Sequence, residues 1–410
     1  MQHLELKIAQ AQDVFIFSHL IEQHRQLRTE MNKMHNPVIL QVPPEVASII
    51  FKFYLPEMPV SADSRKEQPR NTTMAPLLLG AVCRGWRDIA WSIPQLWTYI
   101  DVVLDSGKES EFSLISEWLN RSGGLPLSIH VYTRGLRRTI PRWEIVDLIN
   151  KYSARWEVLE LFVPAPLVNM FRGNLENQYF ILRDLRIHSG FRLPEQKGDI
   201  PIRALRPEPT NVYIDGILHL SSIWISWNRV TFVDVETILA SECVRLFQHA
   251  VMLERCNLRD IWDLEEQSLD FVITHPHLQD LKLKPRYPEA IKQLLGALTL
   301  PALQKLEIDM DSKYLPIIEL HLLAQHSSFQ LKELLVISSD FSDGDMYNLL
   351  SDTPYLERLK ICPAADADFC ITEFLAKISD TNILNKSRHG EPGFLAHLRT
   401  LEIQAPWEID

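Results

Sequence analysis

From Trp156 onward the chain repeats one arrangement of apolar positions, apolar-x-x-apolar-x-apolar, usually followed by a stretch of helical period. It occurs as WEVLEL (Trp156 to Leu161), LRDLRI (Leu182 to Ile187), LSSIWI (Leu220 to Ile225) and LQDLKL (Leu278 to Leu283). LQKLEI (Leu303 to Ile308), LKELLV (Leu331 to Val336), LERLKI (Leu356 to Ile361) and LRTLEI (Leu398 to Ile403) continue it. VMLERCNL (Val251 to Leu258) adds a copy that ends in Cys-x-Leu. Starts at Leu278, Leu303, Leu331, Leu356 and Leu398 lie 25, 28, 25 and 42 residues apart, a period proper to stacked repeats. The longest interval contains ISDTNILNKSRHGEPG, which reads as a loop insertion. Two apolar residues at alternate positions share one face of a short strand. The helical stretch covers the other side, and each unit needs neighbours to bury its apolar face. The pattern therefore predicts an α/β solenoid with a curved parallel sheet.

Ahead of the repeats the period changes. Met1 to Asn36 is polar, Gln-rich and free of Gly and Pro, with Phe17, Leu20, His24, Leu27, Met31 and Met34 alternating at three and four. This stripe of about two and a half heptads predicts a helix. The helix either docks on its own protein or pairs with a second copy.

Pro37 ends it, and VPPEVASIIFKFYLP begins a second helix at Val42, with Pro43 and Pro44 suited to its first turn. Val46, Ile50 and Phe53 fall at i, i+4 and i+7, with Ile49 and Tyr54 beside them. Glu57 to Thr73 is polar, contains Pro59 and Pro69, and reads as a loop. A third helix opens at Pro76 with Leu78, Val82, Trp86 and Ile89 as one stripe; Arg84, Arg87 and Asp88 face away. Pro94 stops it, and Leu96 and Trp97 fold back over its end. About 60 residues cannot bury so many large apolar groups alone, so part of this stripe is expected to be an interface. LWTYIDVVL, LISEWLNRSGG and LPLSIHV then already show a strand–helix–strand rhythm, which places Trp97 where two domains join.

Composition narrows the function classes. The 410 residues hold two or three domains or one long repeat array, and a net charge of -11 argues against nucleic acid or an anionic membrane as partner. No run of 18 apolar residues occurs, and the start lacks a basic then apolar leader pattern, so neither a membrane span nor secretion is expected. Five cysteines, never spaced C-x-x-C, read as reduced thiols of a cytoplasmic or nuclear protein without zinc. Motifs for phosphate loops, dinucleotides, zinc proteases and serine hydrolases are missing from the sequence, which predicts a protein that is no enzyme and has no cofactor. HPH at His275 to His277 and DFSDGD at Asp340 to Asp345 read as turns rather than metal loops, and Cys83 as a packed thiol.

Pro43 to Val46, the apolar helix, the loop, then Val82 to Ala90 (VCRGWRDIA) and Pro94 to Trp97 (PQLW) resemble in their order an F-box. The long loop before Pro76 is similar to the F-box-like domains abundant in fungi; Val42 departs from the Leu usual there. The later copies resemble leucine-rich repeats. The resemblance implies residues 1–36 as an N-terminal helix, 37–97 as an all-helical F-box-like module and 98–410 as an irregular leucine-rich-repeat solenoid.

It also implies a Skp-type adaptor of a cullin–RING ubiquitin ligase as partner, met by Val42, Pro43, Pro44, Glu45, Val46, Ile50, Val82 and Trp86. Trp86 and Trp97 would hold the helices together. The chain would then be the substrate-recognition adaptor, binding an unknown protein through sheet positions between the buried leucines. Those positions include Trp224, Met252, Lys282, Lys284, Glu307 and Leu335. The alternative is a scaffold outside any ligase, whose F-box-like helices only cap the solenoid.

Overall fold

The computed structural model describes residues 14–35, 42–53, 75–105, 110–133, 142–174, 179–188, 206–217, 219–220, 223–262, 272–364, 369–379 and 394–404. The loop expected at Glu57 to Thr73 and nearly all of the insertion before Leu398 lie outside them. The fold is mixed α/β, with twelve α-helices and a large parallel sheet among the described residues. Two compact units are present: Met1–Val102 with Ser106–His130, and Val103–Asp105 with Val131–Asp410.

The first unit contains α1 (Val14–His35), α2 (Pro44–Lys52), α3 (Ala75–Val82) and α4 (Arg84–Ser92), then a 3-10 turn (Pro94–Trp97). α5 (Ser110–Arg121) follows, between β1 (Tyr99–Val103) and β2 (Leu127–Tyr132), two neighbouring strands. Pro43 caps α2, its carbonyl accepting from the amides of Val46 and Ala47, both at 3.0 Å. The single helix expected from Pro76 is instead two. Cys83 is fully extended (φ -161°, ψ 173°) and caps α4, so Leu78 and Val82 do not share a stripe with Trp86 and Ile89. Gly80 and Gly85 flank the break, and glycine weakens a continuous helix by about 1 kcal/mol per residue. The break lets the Arg87 guanidinium donate to the Gly80 carbonyl at 2.9 Å.

Trp97 lies inside the first unit, 2% exposed, rather than at its border. Its indole donates to the Ala90 carbonyl at 3.0 Å and meets Trp91 (5.1 Å) and Trp118 (4.9 Å) edge to face.

In the second unit, parallel strands follow one another across the sheet in chain order. They are β3 (Trp156–Phe162), β4 (Asp184–His188), β5 (Asn211–Ile217), β6 (Phe232–Leu239), β7 (Arg255–Trp262), β9 (Asp280–Pro285), β11 (Lys305–Tyr314), β12 (Glu333–Asp340), β13 (Arg358–Pro363) and β14 (Thr400–Ile403). A separate pair joins β8 (Ile273–Thr274) to β10 (Leu298–Thr299). The crossovers carry α8 (Ala240–His249), α9 (Pro288–Ala297), α10 (Ile317–Ser327), α11 (Asp343–Ser351) and α12 (Ile371–Ile378), each packed on the next. α6 (Trp143–Lys151) and the short α7 (Ala165–Val168) flank β3 in the chain.

A recurring bond sets the register. The amides of Gln304 and Lys305 both donate to Gln279 O, and those of Lys332 and Glu333 both donate to Gln304 O. The same pair recurs at β13 and β14. It aligns Leu281, Leu306, Leu334, Leu359 and Leu401 in one row, and Leu283, Ile308, Val336, Ile361 and Ile403 in the next. Both rows are buried from β9 to β13 and half-buried on β14.

One expected copy is absent. The described residues of LSSIWI form no strand; Ile223 and Ile225 are buried from an irregular segment that occupies the crossover between β5 and β6. The strands there come from PTNVYI and VTFVDV, where Val212 pairs with Val233 and Ile214 with Val235. DFSDGD also departs from expectation, since it starts α11. Ser342 caps the Asp345 amide at 3.2 Å, and the Asp345 carboxylate accepts from the Ser342 amide at 3.2 Å.

Candidate functional site

Two surfaces gather the singled-out residues, one in each unit. In the first, α2 and α3 both dock on α4 and the 3-10 turn. Ala47 and Phe51 of α2 are the buried contacts, Phe51 lying 4.8 Å from the half-buried Trp86 ring. The Val46–Ile50–Phe53 stripe points the other way. Phe53 is 86% exposed, and Val46, Ile49, Ile50, Leu78 and Val82 are between 43% and 53% exposed.

Pro43, Pro44 and Glu45 are exposed and Val42 is half-buried, so most of the expected adaptor-facing set is open to solvent; Trp86 holds the helices together. Ile49, Phe53 and Leu78 belong to the same outward set, although sequence reasoning left them out of it. Period alone showed the stripe, but could not say whether it faces the chain's own core. Isolated exposed leucines are ordinary; such a density on two short helices is not.

In the second unit, Lys282, Lys284, Glu307 and Leu335 stand on the open face of the sheet between the buried rows. Most charges there pair between strands, whereas the half-buried Asp280 carboxylate leaves Oδ1 without a hydrogen bond. Lys282 meets Glu307 at 2.8 Å and Lys284 meets Asp309 at 2.7 Å, and these hydrogen bonds raise both lysines above the usual ammonium range. Lys305 and Arg358 share Glu333 at 3.5 and 3.2 Å, and Lys360 meets Glu402 at 3.8 Å. Leu335 and Ile337, half-buried, form an apolar gap in this ladder.

Toward β3 the face is more closed. The fully buried Glu160 meets His188 at 3.0 Å, His188 meets Asp215 at 3.3 Å, and Phe162 stacks on the imidazole at 4.0 Å. A hydrogen bond with Glu236, then the His188 contact, holds the Asp215 carboxyl below its ordinary range.

Two expected face residues are elsewhere. Trp224 is on no strand; it is half-buried, with the guanidiniums of Arg206 and Arg172 over its ring at 4.4 and 5.3 Å. The cavity it lines, with Trp156, Leu159 and Phe171, measures about 10 Å³, room for no more than a water. Met252 is exposed in the turn before β7. In both cases the hexamer pattern set the wrong frame: strand alternation does not apply outside a strand.

His275, in the HPH turn, is buried and bonds the Ala250 carbonyl through Nε2 at 2.8 Å. No group of three or more His, Cys, Asp or Glu suited to a metal occurs among the described residues. Burial pushes the His275 imidazole below its ordinary range, against the Ala250 bond, with His277 adding to the fall. The folded chain therefore resists a proton that the unfolded chain accepts. Stability is complete above the ordinary imidazole range and is lost as pH falls through it. The expected slope is at most about 1.4 kcal/mol per pH unit. Urea midpoints at pH 7.5 and 5.5 test this against His275→Gln. The variant should lose part of the pH dependence, and parallel curves would show that His275 takes no part.

No described helix is long and apolar enough to cross a membrane. The chain matches no protein-family model, and no curated protein is similar enough to it to serve as a relative.

Proposed function

We propose that this protein is a substrate-recognition adaptor of a Skp–cullin–F-box type ubiquitin ligase. The observation that carries the reading is the outward apolar set on α2 and α3, Val46, Ile50 and Val82 among them. These are the positions that the F-box resemblance assigns to the Skp-type partner, and burying such anchors stabilises an interface by about 2 kcal/mol or more each. Trp86 and Phe51 support the reading from behind by fixing α2 against α4. The second unit would act as an irregular leucine-rich-repeat solenoid holding a protein target, with Leu335 and Ile337 as its apolar foothold. The chain would carry no ubiquitin chemistry; it would raise the target's effective concentration near the conjugating enzyme.

Val46→Asp combined with Ile50→Asp tests the reading. Both side chains are solvent-exposed, so the double variant should keep wild-type circular dichroism and thermal stability to within about 1 kcal/mol. Its binding to purified Skp-type adaptor should fall by about a hundredfold or more. Undiminished capture by a folded double variant would overturn the assignment.

A further inference from the structure

On the open face of the second unit the pairing of side chains breaks at β7. Arg255 stands between Phe232 and Asp280 of the neighbouring strands, and Asn257, two residues on, stands between Asp234 and Lys282. Around them the groups are matched: Arg259 donates to Asp234 at 2.7 Å, and Lys282 to Glu307 at 2.8 Å. Among the described residues the Asn257 carboxamide has no hydrogen-bond partner, and the Arg255 guanidinium has no carboxylate in contact. It lies over the Phe232 ring at 4.9 Å instead. Asp280, half-buried, leaves Oδ1 unbonded.

Burial raises the Asp280 carboxyl above its ordinary range, against the pull of nearby Lys305 and Lys282. The ionised group therefore weakens the free chain, as an unmet polar group does. The second torsion of an aspartate is soft, so the carboxylate can turn toward the open face.

The three groups match a peptide unit. A guanidinium donates to a carbonyl, a carboxylate accepts from an amide N–H, and a carboxamide does both. In an extended chain the N–H and C=O of one residue point to the same side. Strands about 4.8 Å apart put Arg255 and Asp280 within reach of such a pair. The site is neutral as a set. An acidic side chain would gain Arg255 and lie against Asp280, a basic one the reverse, whereas a main chain meets both. We infer that Arg255, Asn257 and Asp280 hold the main chain of an extended segment of a target protein, laid across β7 and β9. Phe232 and Tyr213, 5.3 Å apart, offer an aromatic surface to one of its side chains. The inference rests on the second unit as the part that holds a target, and not on the adaptor contact.

Random linear peptides displayed on phage and selected on the full chain give the probe. Selected peptides should bind Arg255→Ala and Asn257→Ala about tenfold more weakly than wild type. Replacing their peptide bonds one at a time by esters should weaken binding about tenfold at a central position where an alanine side chain is tolerated. Asp280→Asn should weaken binding as well, yet unfold at the wild-type midpoint or above it, since the fold leaves that carboxylate unmet. Capture of purified Skp-type adaptor by all three variants should equal wild type, so a failure here leaves the ligase reading untouched. Peptides that depend on an Asp or Glu side chain and on no ester position would overturn the inference. So would a lowered midpoint for Asp280→Asn, or a selection that enriches no peptide. Peptides indifferent to the three variants would also overturn it, while leaving the second unit as the part that holds a target.

Discussion

Trp97→Ala should destabilise the first unit by about 3–5 kcal/mol, among the largest losses a single substitution can cause. Three effects combine there. The ring is 2% exposed, so alanine leaves a cavity among Ala90, Trp91 and Trp118. Two edge-to-face contacts go with it, to Trp91 and Trp118, each worth about 0.5–1.5 kcal/mol beyond area burial. The Ala90 carbonyl also loses the donor that satisfies it at 3.0 Å.

Few neighbours can close the gap. Arg121 lies over both the Trp91 and Trp97 rings, at 5.2 and 5.3 Å, and Trp91 itself is pressed onto Gly80, where even a methyl group would collide with its ring. Hydrogen exchange of amides in α4 and α5 gives the local measurement, and urea unfolding the global one. Trp97→Phe should recover part of the loss, because it refills the space without restoring the hydrogen bond. A loss below about 1 kcal/mol for Trp97→Ala would mean that the cluster is not the centre of this unit.

Much of the fold could be read from residue pattern. The spacing of LQDLKL, LQKLEI, LKELLV and LERLKI maps directly onto β9, β11, β12 and β13, because a leucine three residues ahead of an alternating pair needs one geometry. β5 and β6 were hidden because Pro209, Val212, Val230 and Val233 fill the leucine positions, whereas the same spacing in PTNVYI and VTFVDV would have revealed them. LSSIWI misled in the opposite sense: its apolar residues reach the core, but from the irregular crossover.

The helical region was legible as periodicity and not as direction. Val46, Ile50 and Phe53 formed a visible stripe, but the packing face turned out to be Ala47 and Phe51 on the other side. Cys83 stops α3 through backbone conformation alone, with no proline to announce it. The charge ladder was half visible. Lys282 and Lys284 stood out, but their pairing with Glu307 and Asp309 comes from register between strands 25 residues apart.

That register makes the sharpest contrast in the second unit, between adjacent residues of β11. Leu306 is 2% exposed and stands between Leu281 and Leu334, while Glu307 faces outward between Lys282 and Leu335. Leu306→Ala should cost about 2–5 kcal/mol, since the rows on either side hold the sheet apart and cannot collapse into the space. Glu307→Ala removes only a partly exposed ion pair, whose contribution is about 0.2–1 kcal/mol, and Lys282 keeps Asp280 nearby. Salt gives a second readout. Raising it should shrink the Glu307→Ala effect and leave the Leu306→Ala effect unchanged, because screening acts on exposed charge and not on packing. Denaturant titrations of both variants at low and high ionic strength decide the matter. Equal losses, or a salt-sensitive Leu306→Ala, would place the faces of β11 the other way round and with them the row of outward charges from Lys282 to Glu402.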